Sequence, residues 1–306
     1  MRIALDLGGT LIKIGFFEDG KPNGFLSIPA RSEETITMVL DRVVEAVSGR
    51  IGERLVDMVG LATPGIVDSE ARRILSINRK YADAVGFDFT AWCLKKFGCP
   101  LVMENDANAA LLGEVSRGCA IGQRDAVMMI LGTGIGTAAI MDGRLVRGRH
   151  FQAGILGGHF VVDLQGRTCT CGGKGCLETL AGSGVLEDLV RGMPGFEEST
   201  LSHMEWTGME GIIASMEKGD GFAAGVFDGV MEALGAGITN LVHAYDPEVV
   251  ILSGGVMKGK ARILPALELK VRERVWTPWG QVRFLVAEDP DSSVLLGLAA
   301  RMEEAR

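Results

Sequence analysis

Residues 2–17 read RIALDLGGTLIKIGFF, and residues 127–148 read VMMILGTGIGTAAIMDGRLVRG. Each opens on an apolar run, breaks at a glycine-rich turn and resumes as a second apolar run, which predicts two strands joined by a tight turn. Thr10 stands nine positions before Asp19-Gly20, and Thr133 stands nine before Asp142-Gly143. A basic residue follows each pair, Lys21 or Arg144, and Asp-Gly between apolar runs predicts a further hairpin turn into FLSIPA and its counterpart. Two copies of strand, glycine turn, strand, Asp-Gly turn and strand at equal spacing imply a duplicated domain.

Outward from each copy the pattern alternates between helix and strand. Residues 33–48 carry Ile36, Met38, Val39, Val43, Val44 and Ala46 at helical spacing, and VDMVGLATPGIVD (56–68) reads as a strand entering a Pro64-Gly65 turn. FDFTAWCLKKF (87–97) reads as a helix, and PLVMENDANAALLGEV (100–115) as a strand that becomes a helix at Asn105-Asp106. Residues 183–217 are helical but irregular, 222–245 form a long helix, VVILSGGV (249–256) is a buried strand ending in two glycines, and a last helix covers 292–305. This is an α/β chain with open sheets, and its ligands are expected between the halves, at the strand ends. The expected domains are a smaller N-terminal one, 1–118 with 292–306, and a larger C-terminal one, 119–291.

Composition narrows the function. The chain has 306 residues and a net charge of −8, from 31 basic and 39 acidic side chains, with no basic cluster, so a nucleic-acid partner is not expected. The most apolar run, 126–141, is too short to cross a bilayer and is broken by glycine and threonine, so no membrane partner is expected either. MRIALDLGGT does not read as a signal peptide. Cys93, Cys99 and Cys119 lack any disulfide spacing, as suits reduced thiols in a cytoplasmic protein.

Four stretches carry candidate chemistry. The turns DLGGT (6–10) and LGTGIG (131–136) present backbone amides unobstructed by Cβ, suited to phosphate oxygens; the plainer reading is hairpins that need glycine for positive φ. Asp6 either holds a water of Mg²⁺ or is an ordinary turn aspartate. In ENDANAA (104–110), Asp106 is either an N-cap or a base that takes a proton from a sugar hydroxyl. HFVVDLQGRTCTCGGKGCLE (159–178) offers His159, Cys169, Cys171 and Cys176 as a closed ligand set for one structural Zn²⁺, the alternative being three reduced cysteines on a glycine-rich loop.

With DLGGT, ATPG, ENDANAA, LGTGIG, CTCGGKGCLE and LSGG in this order, the chain resembles the ROK family of repressors, open reading frames and sugar kinases over nearly its whole length. The resemblance implies a duplicated ribonuclease-H-like, actin-like ATPase fold, with two domains around a cleft that takes ATP and a hexose. It implies Asp106 as general base; Asn105, Asp106, His159, Glu178, Gly65 and Asn78 as sugar contacts; and Zn²⁺ on His159, Cys169, Cys171 and Cys176. Nucleotide phosphates are implied at Gly8, Gly9 and Thr10 and at Gly132, Thr133 and Gly134, with Gly254 and Gly255 near the adenosine, Mg²⁺ as a further cofactor beside Asp6 and a homodimer as the assembly. Three departures stand out. The family's Glu-x-Gly-His is AGILGGH here, so Ile155 or Leu156 replaces a carboxylate; of the family's Asn-Leu-Pro-Gly-Trp loop only Asn78 remains; and Leu11, with Lys13 beyond it, follows the first turn where a lysine is common. The lost carboxylate makes a catalytically silent sugar-binding regulator the competing expectation. A DNA-binding repressor fits less well, since the chain is acidic and begins with its first strand.

Overall fold

Asp19 and Gly20 adopt φ of 48° and 74°, and Asp142 and Gly143 adopt 49° and 74°. Successive positive-φ residues are the mark of the type I′ turn, whose twist matches that of a hairpin. The computed structural model describes residues 1–78 and 80–305 and divides into two units: Met1–Gly122 with Arg147–Ala153 and Glu288–Arg306, and Gln123–Val146 with Gly154–Ala287.

In the first unit β1 (Arg2–Leu7), β2 (Leu11–Glu18), β3 (Lys21–Pro29), α1 (Ile36–Ile51), β4 (Met58–Thr63), β5 (Ile66–Asp68), β6 (Arg73–Ser76), α2 (Phe89–Phe97), β7 (Leu101–Asn105) and α3 (Asp106–Arg117) follow in order. Its sheet runs β3-β2-β1-β4-β7, antiparallel in the first three strands and parallel from β1 through β4 to β7. Side chains alternate across a strand, so Ile3, Leu5 and Leu7 enter a core with Ile36, Val39, Leu40 and Val43 of α1, while Asp6 belongs to the opposite face.

The second unit holds β8 (Ala126–Leu131), β9 (Ile135–Met141), β10 (Arg144–Leu145), α4 (Glu178–Ala181), α5 (Ser183–Arg191), α6 (Met209–Glu217), α7 (Gly221–Tyr245), β11 (Val249–Ser253), α8 (Lys260–Arg272) and β12 (Arg283–Val286), and α9 (Pro290–Glu304) returns to the first. Its sheet runs β10-β9-β8-β11-β12 with the same directions, antiparallel then parallel. Strand for strand this repeats the first sheet, as the equal spacing requires, and the chain has the duplicated ribonuclease-H-like, actin-like fold. α7 is the one helix among the described residues long and apolar enough to cross a membrane, and Val230, Leu234, Ile238 and Leu241 bury its apolar face in the second core.

α9 covers the Asp6 face of the first sheet and meets α3 at backbone distance. A Cβ on Gly297 would lie 1.7 Å from Ala109 O, and one on Gly113 2.0 Å from Ser293 O. Only glycine permits that crossing, and it fixes the helix whose first residue is Asp106.

Candidate active site

The end of β7 and the start of α3 are built around Asn105. Its Oδ1 accepts from Ala107 N at 2.9 Å and Asn108 N at 3.1 Å, so Asn105 caps the helix, and Asp106 is its first residue, not its cap. Its Nδ2 donates to Gly65 O at 2.9 Å and to Asp106 Oδ1 at 3.1 Å, tying the Pro64-Gly65 turn to the carboxylate. Gly65 has φ 91°, and a Cβ there would strike Ser76 O at 2.3 Å, so the turn admits only glycine. Asp106 Oδ1 also accepts from Ala107 N at 2.8 Å. Burial raises the Asp106 carboxyl above the usual range; the bonds from Ala107 and Asn105 and the charge of Lys80 oppose the rise.

Asp6, 7% exposed on β1, is raised to about 7, first by burial and then by the negative charge of Asp106, with Lys13 opposing. Two carboxyls near enough to disfavour each other's ionisation form an acid pair that a cation would relieve. Lys13 is engaged elsewhere: its Nζ pairs with Asp291 at 2.7 Å, at the start of α9.

The first glycine turn is held by its carbonyls. Gly8 O accepts from Tyr81 Oη at 2.7 Å, Gly9 O from Ser32 Oγ at 3.3 Å and Thr10 O from Ala30 N at 2.9 Å. The amides of Gly8, Gly9 and Thr10 make no hydrogen bond among the described residues, as an anion cradle needs. Asn78 O accepts from Lys80 N at 2.8 Å, so Asn78 lies on the same loop as Tyr81.

In the second unit the turn 132–134 is anchored on α5, with Ser183 N on Gly132 O at 3.0 Å and Gly184 N on Thr133 O at 2.9 Å. Two of its donors are engaged. Gly132 N bonds Gly134 O at 3.1 Å, and Ile135 N bonds Glu178 Oε2 at 2.9 Å. The motif therefore offers fewer open amides than its glycines suggested, and Glu178 lies against it. Gly254, at φ 95°, touches the end of β8: a Cβ would be 2.3 Å from Leu131 O, which brings Gly254 and Gly255 beside the same turn.

His159, Cys169, Cys171 and Cys176 converge, their ligand atoms all within 4.8 Å of one another. Cys169 Sγ lies 3.6 Å from His159 Nδ1 and Cys171 Sγ 3.6 Å from Cys176 Sγ. Zn–S bonds of about 2.3 Å in a tetrahedron give edges of about 3.8 Å, so the donor set fits one Zn²⁺. Glycine makes the fold of the loop possible: Gly175 has φ 73°, and its Cβ would lie 1.7 Å from Asp163 O. Near this loop, the segment that departs from Glu-x-Gly-His has Ile155 buried and Leu156 half-buried, and Gly157 N donates to Thr137 Oγ1 at 2.8 Å.

Sequence reasoning missed Glu104, Arg147, Ser32, Lys80 and Tyr81. Glu104 is 1% exposed; its Oε1 accepts from Asn105 N and Asn108 Nδ2, both at 3.1 Å, and its Oε2 pairs with Arg147. The signal for Glu104 was present, a carboxylate inside an apolar strand, but its partner is 43 residues away.

Comparison with known proteins gives the following. The model of the family described as ROK matches residues 2–305. A glucokinase of Thermotoga maritima is 29% identical over 309 residues, covering 99% of this chain and 97% of that one. A xylose repressor of Bacillus subtilis is 27% identical over 222 residues, covering 72% of this chain and 54% of that one. The solved ROK family glucokinase of Streptomyces griseus, in complex with glucose and AMPPNP, is 26% identical with a TM-score of 0.77 and 98% of each chain covered.

Proposed function

The chain belongs to the ROK family, and on that premise we propose that it transfers the γ-phosphoryl group of ATP to a hydroxyl of a hexose or hexose derivative, with Asp106 as general base. It is a sugar kinase. The observation that carries the mechanism is the Asp106 carboxylate, positioned by Ala107 N and Asn105 Nδ2 and made more basic than an ordinary carboxylate by burial. It takes the proton of the sugar hydroxyl as that oxygen attacks the γ-phosphorus; the bond to the bridging oxygen breaks and ADP leaves. Phosphoryl transfer needs little else from a protein beyond in-line positioning and neutralisation of charge.

The supporting roles follow the same reading. Gly8, Gly9 and Thr10 take phosphate oxygens, as do Gly132, Thr133 and Gly134, and Gly254 and Gly255 border the adenosine. Asp6 would hold the hydration shell of Mg²⁺, whose charge offsets that of the phosphates. Asn105, Gly65, Asn78, His159 and Glu178 contact the sugar. Zn²⁺ on His159, Cys169, Cys171 and Cys176 would be structural; with Nδ1 on the cysteine side, Nε2 of His159 remains for a sugar hydroxyl. A homodimer and a cytoplasmic site complete the proposal, the last in keeping with six cysteines that form no disulfide.

A second reading has one observation in its favour. AGILGGH puts the apolar Ile155 or Leu156 where the resemblance to the family's Glu-x-Gly-His implies a carboxylate, and a sugar hydroxyl left unpaired there would cost about 1–3 kcal/mol, which suits a sugar-binding regulator that does no chemistry. ADP release with Mg-ATP over aldohexoses, ketohexoses and N-acetylhexosamines separates the two. Turnover with any of them supports the kinase; no turnover while some sugar raises Tm supports the regulator.

A further inference from the structure

A cation rests on the first glycine turn. A Cβ built on Gly9 would lie 1.8 Å from Lys80 Nζ and 2.4 Å from its Cε, so the ammonium and its stem lie directly on the glycine. The backbone that brings it there is fixed from both sides. Tyr81 is fully buried and left-handed, with φ 51° and ψ 44°. Its N donates to Ser32 O at 3.1 Å and its Oη to Gly8 O at 2.7 Å, while Ser32 Oγ donates to Gly9 O. A bulky residue in that conformation is strained and persists only where its surroundings over-determine it. Here the over-determined object is the joint between the turn and the residue before Tyr81.

No carboxylate among the described residues pairs with Lys80, yet its charge is near enough to hold Asp106 down against the effect of burial. An ammonium with no paired carboxylate, beside three amides that bond nothing among the described residues, is an arrangement for an anion. The alternative cation of this region, Lys13, is bound to Asp291.

We infer that Lys80 holds the γ-phosphoryl group as it passes from ATP to the sugar. This rests on the kinase reading above, since the group that moves must come up to the hydroxyl that Asp106 deprotonates. In the transition state, charge spreads over the three equatorial oxygens of that group. An ammonium on a flexible stem can follow it, whereas the turn amides are fixed. Lys80 thus supplies the cation that Leu11 leaves out of the first turn.

The test uses the full chain as Lys80→Met and Lys80→Arg, with ADP release for kcat and KM(ATP), and calorimetric Kd for AMPPNP and ADP. Lys80→Met should lose about 10²–10³-fold in kcat/KM for ATP, and Lys80→Arg should recover at least about tenfold of it by restoring charge. AMPPNP affinity should fall about tenfold in Lys80→Met while ADP affinity stays within about twofold, because ADP lacks the group Lys80 holds; each tenfold is about 1.4 kcal/mol. Sugar-induced shifts in Tm should not change. Kinetics of Lys80→Met within about twofold of wild type, or equal losses for AMPPNP and ADP, overturn the inference. A wild type that turns over no sugar defeats the kinase reading instead, and the AMPPNP-to-ADP comparison still decides the role of Lys80; no AMPPNP binding at all overturns both.

Discussion

Replacing Asp6 by asparagine should stabilise the protein free of Mg²⁺, and more so as pH rises. Asp6 is 7% exposed and its carboxyl is raised from 3.8 to about 7 in the folded chain. The folded state therefore keeps a proton that the unfolded chain releases. Such a group costs nothing below the unfolded value, costs progressively more as pH rises from about 4 to about 7, and costs its full amount above that. At about 1.4 kcal/mol per pH unit the full cost is about 4 kcal/mol, of which about 2–3 kcal/mol accrues between pH 5 and pH 8. Asparagine has the same shape and no charge, and it also removes Asp6's repulsion of Asp106. The Tm difference between Asp6→Asn and wild type should widen by roughly 3–5 °C between pH 5 and pH 8 in Mg²⁺-free buffer. The assay is calorimetric unfolding of both proteins at the two pH values. A difference that does not change with pH, or one that favours wild type at pH 8, refutes the claim that Asp6 is an unrelieved buried carboxylate.

Other outcomes follow from the same geometry. Cys171→Ser should lose one bound Zn²⁺ by metal analysis and lower Tm in the same protein; a metal-free variant with wild-type Tm contradicts the zinc site. Gly297→Ala forces a methyl to 1.7 Å from Ala109 O and should cost about 3 kcal/mol in urea unfolding; an unchanged midpoint means the helices part freely. Arg147→Met leaves the 1% exposed Glu104 with Arg301, at 3.9 Å, as its one paired cation among the described residues and should cost about 3 kcal/mol at pH 7. No loss there would mean that the Arg147–Glu104 pair adds nothing to stability.

The duplication was legible because its signals are local: Asp-Gly turns and β-branched runs determine their own conformation. α7 and the strand β7 that becomes α3 were legible for the same reason. The hairpin β5–β6 was not, since its strands have three and four residues and pair through a bulge. α8 carries Pro265 inside it, and β12 is four residues that form a strand only by pairing with β11. At the site, glycine turns and the cysteine spacing were visible as motifs. The residues that position them were not, because Tyr81 reaches Gly8, Arg147 reaches Glu104 and Glu178 reaches Ile135 across many positions. The N-cap alternative for Asp106 falls to its neighbour Asn105, a one-residue boundary shift that composition does not decide because both residue types cap helices well.

Asp106→Asn tests the central claim most directly, because the change removes the proton-accepting charge while keeping an oxygen that Ala107 N can bond. With the sugar the wild type prefers, calorimetry should give a Kd within about threefold of wild type while kcat for ADP release falls by about 10²–10⁴-fold. Unchanged sugar binding with unchanged kcat would contradict the account and remove Asp106 from the reaction.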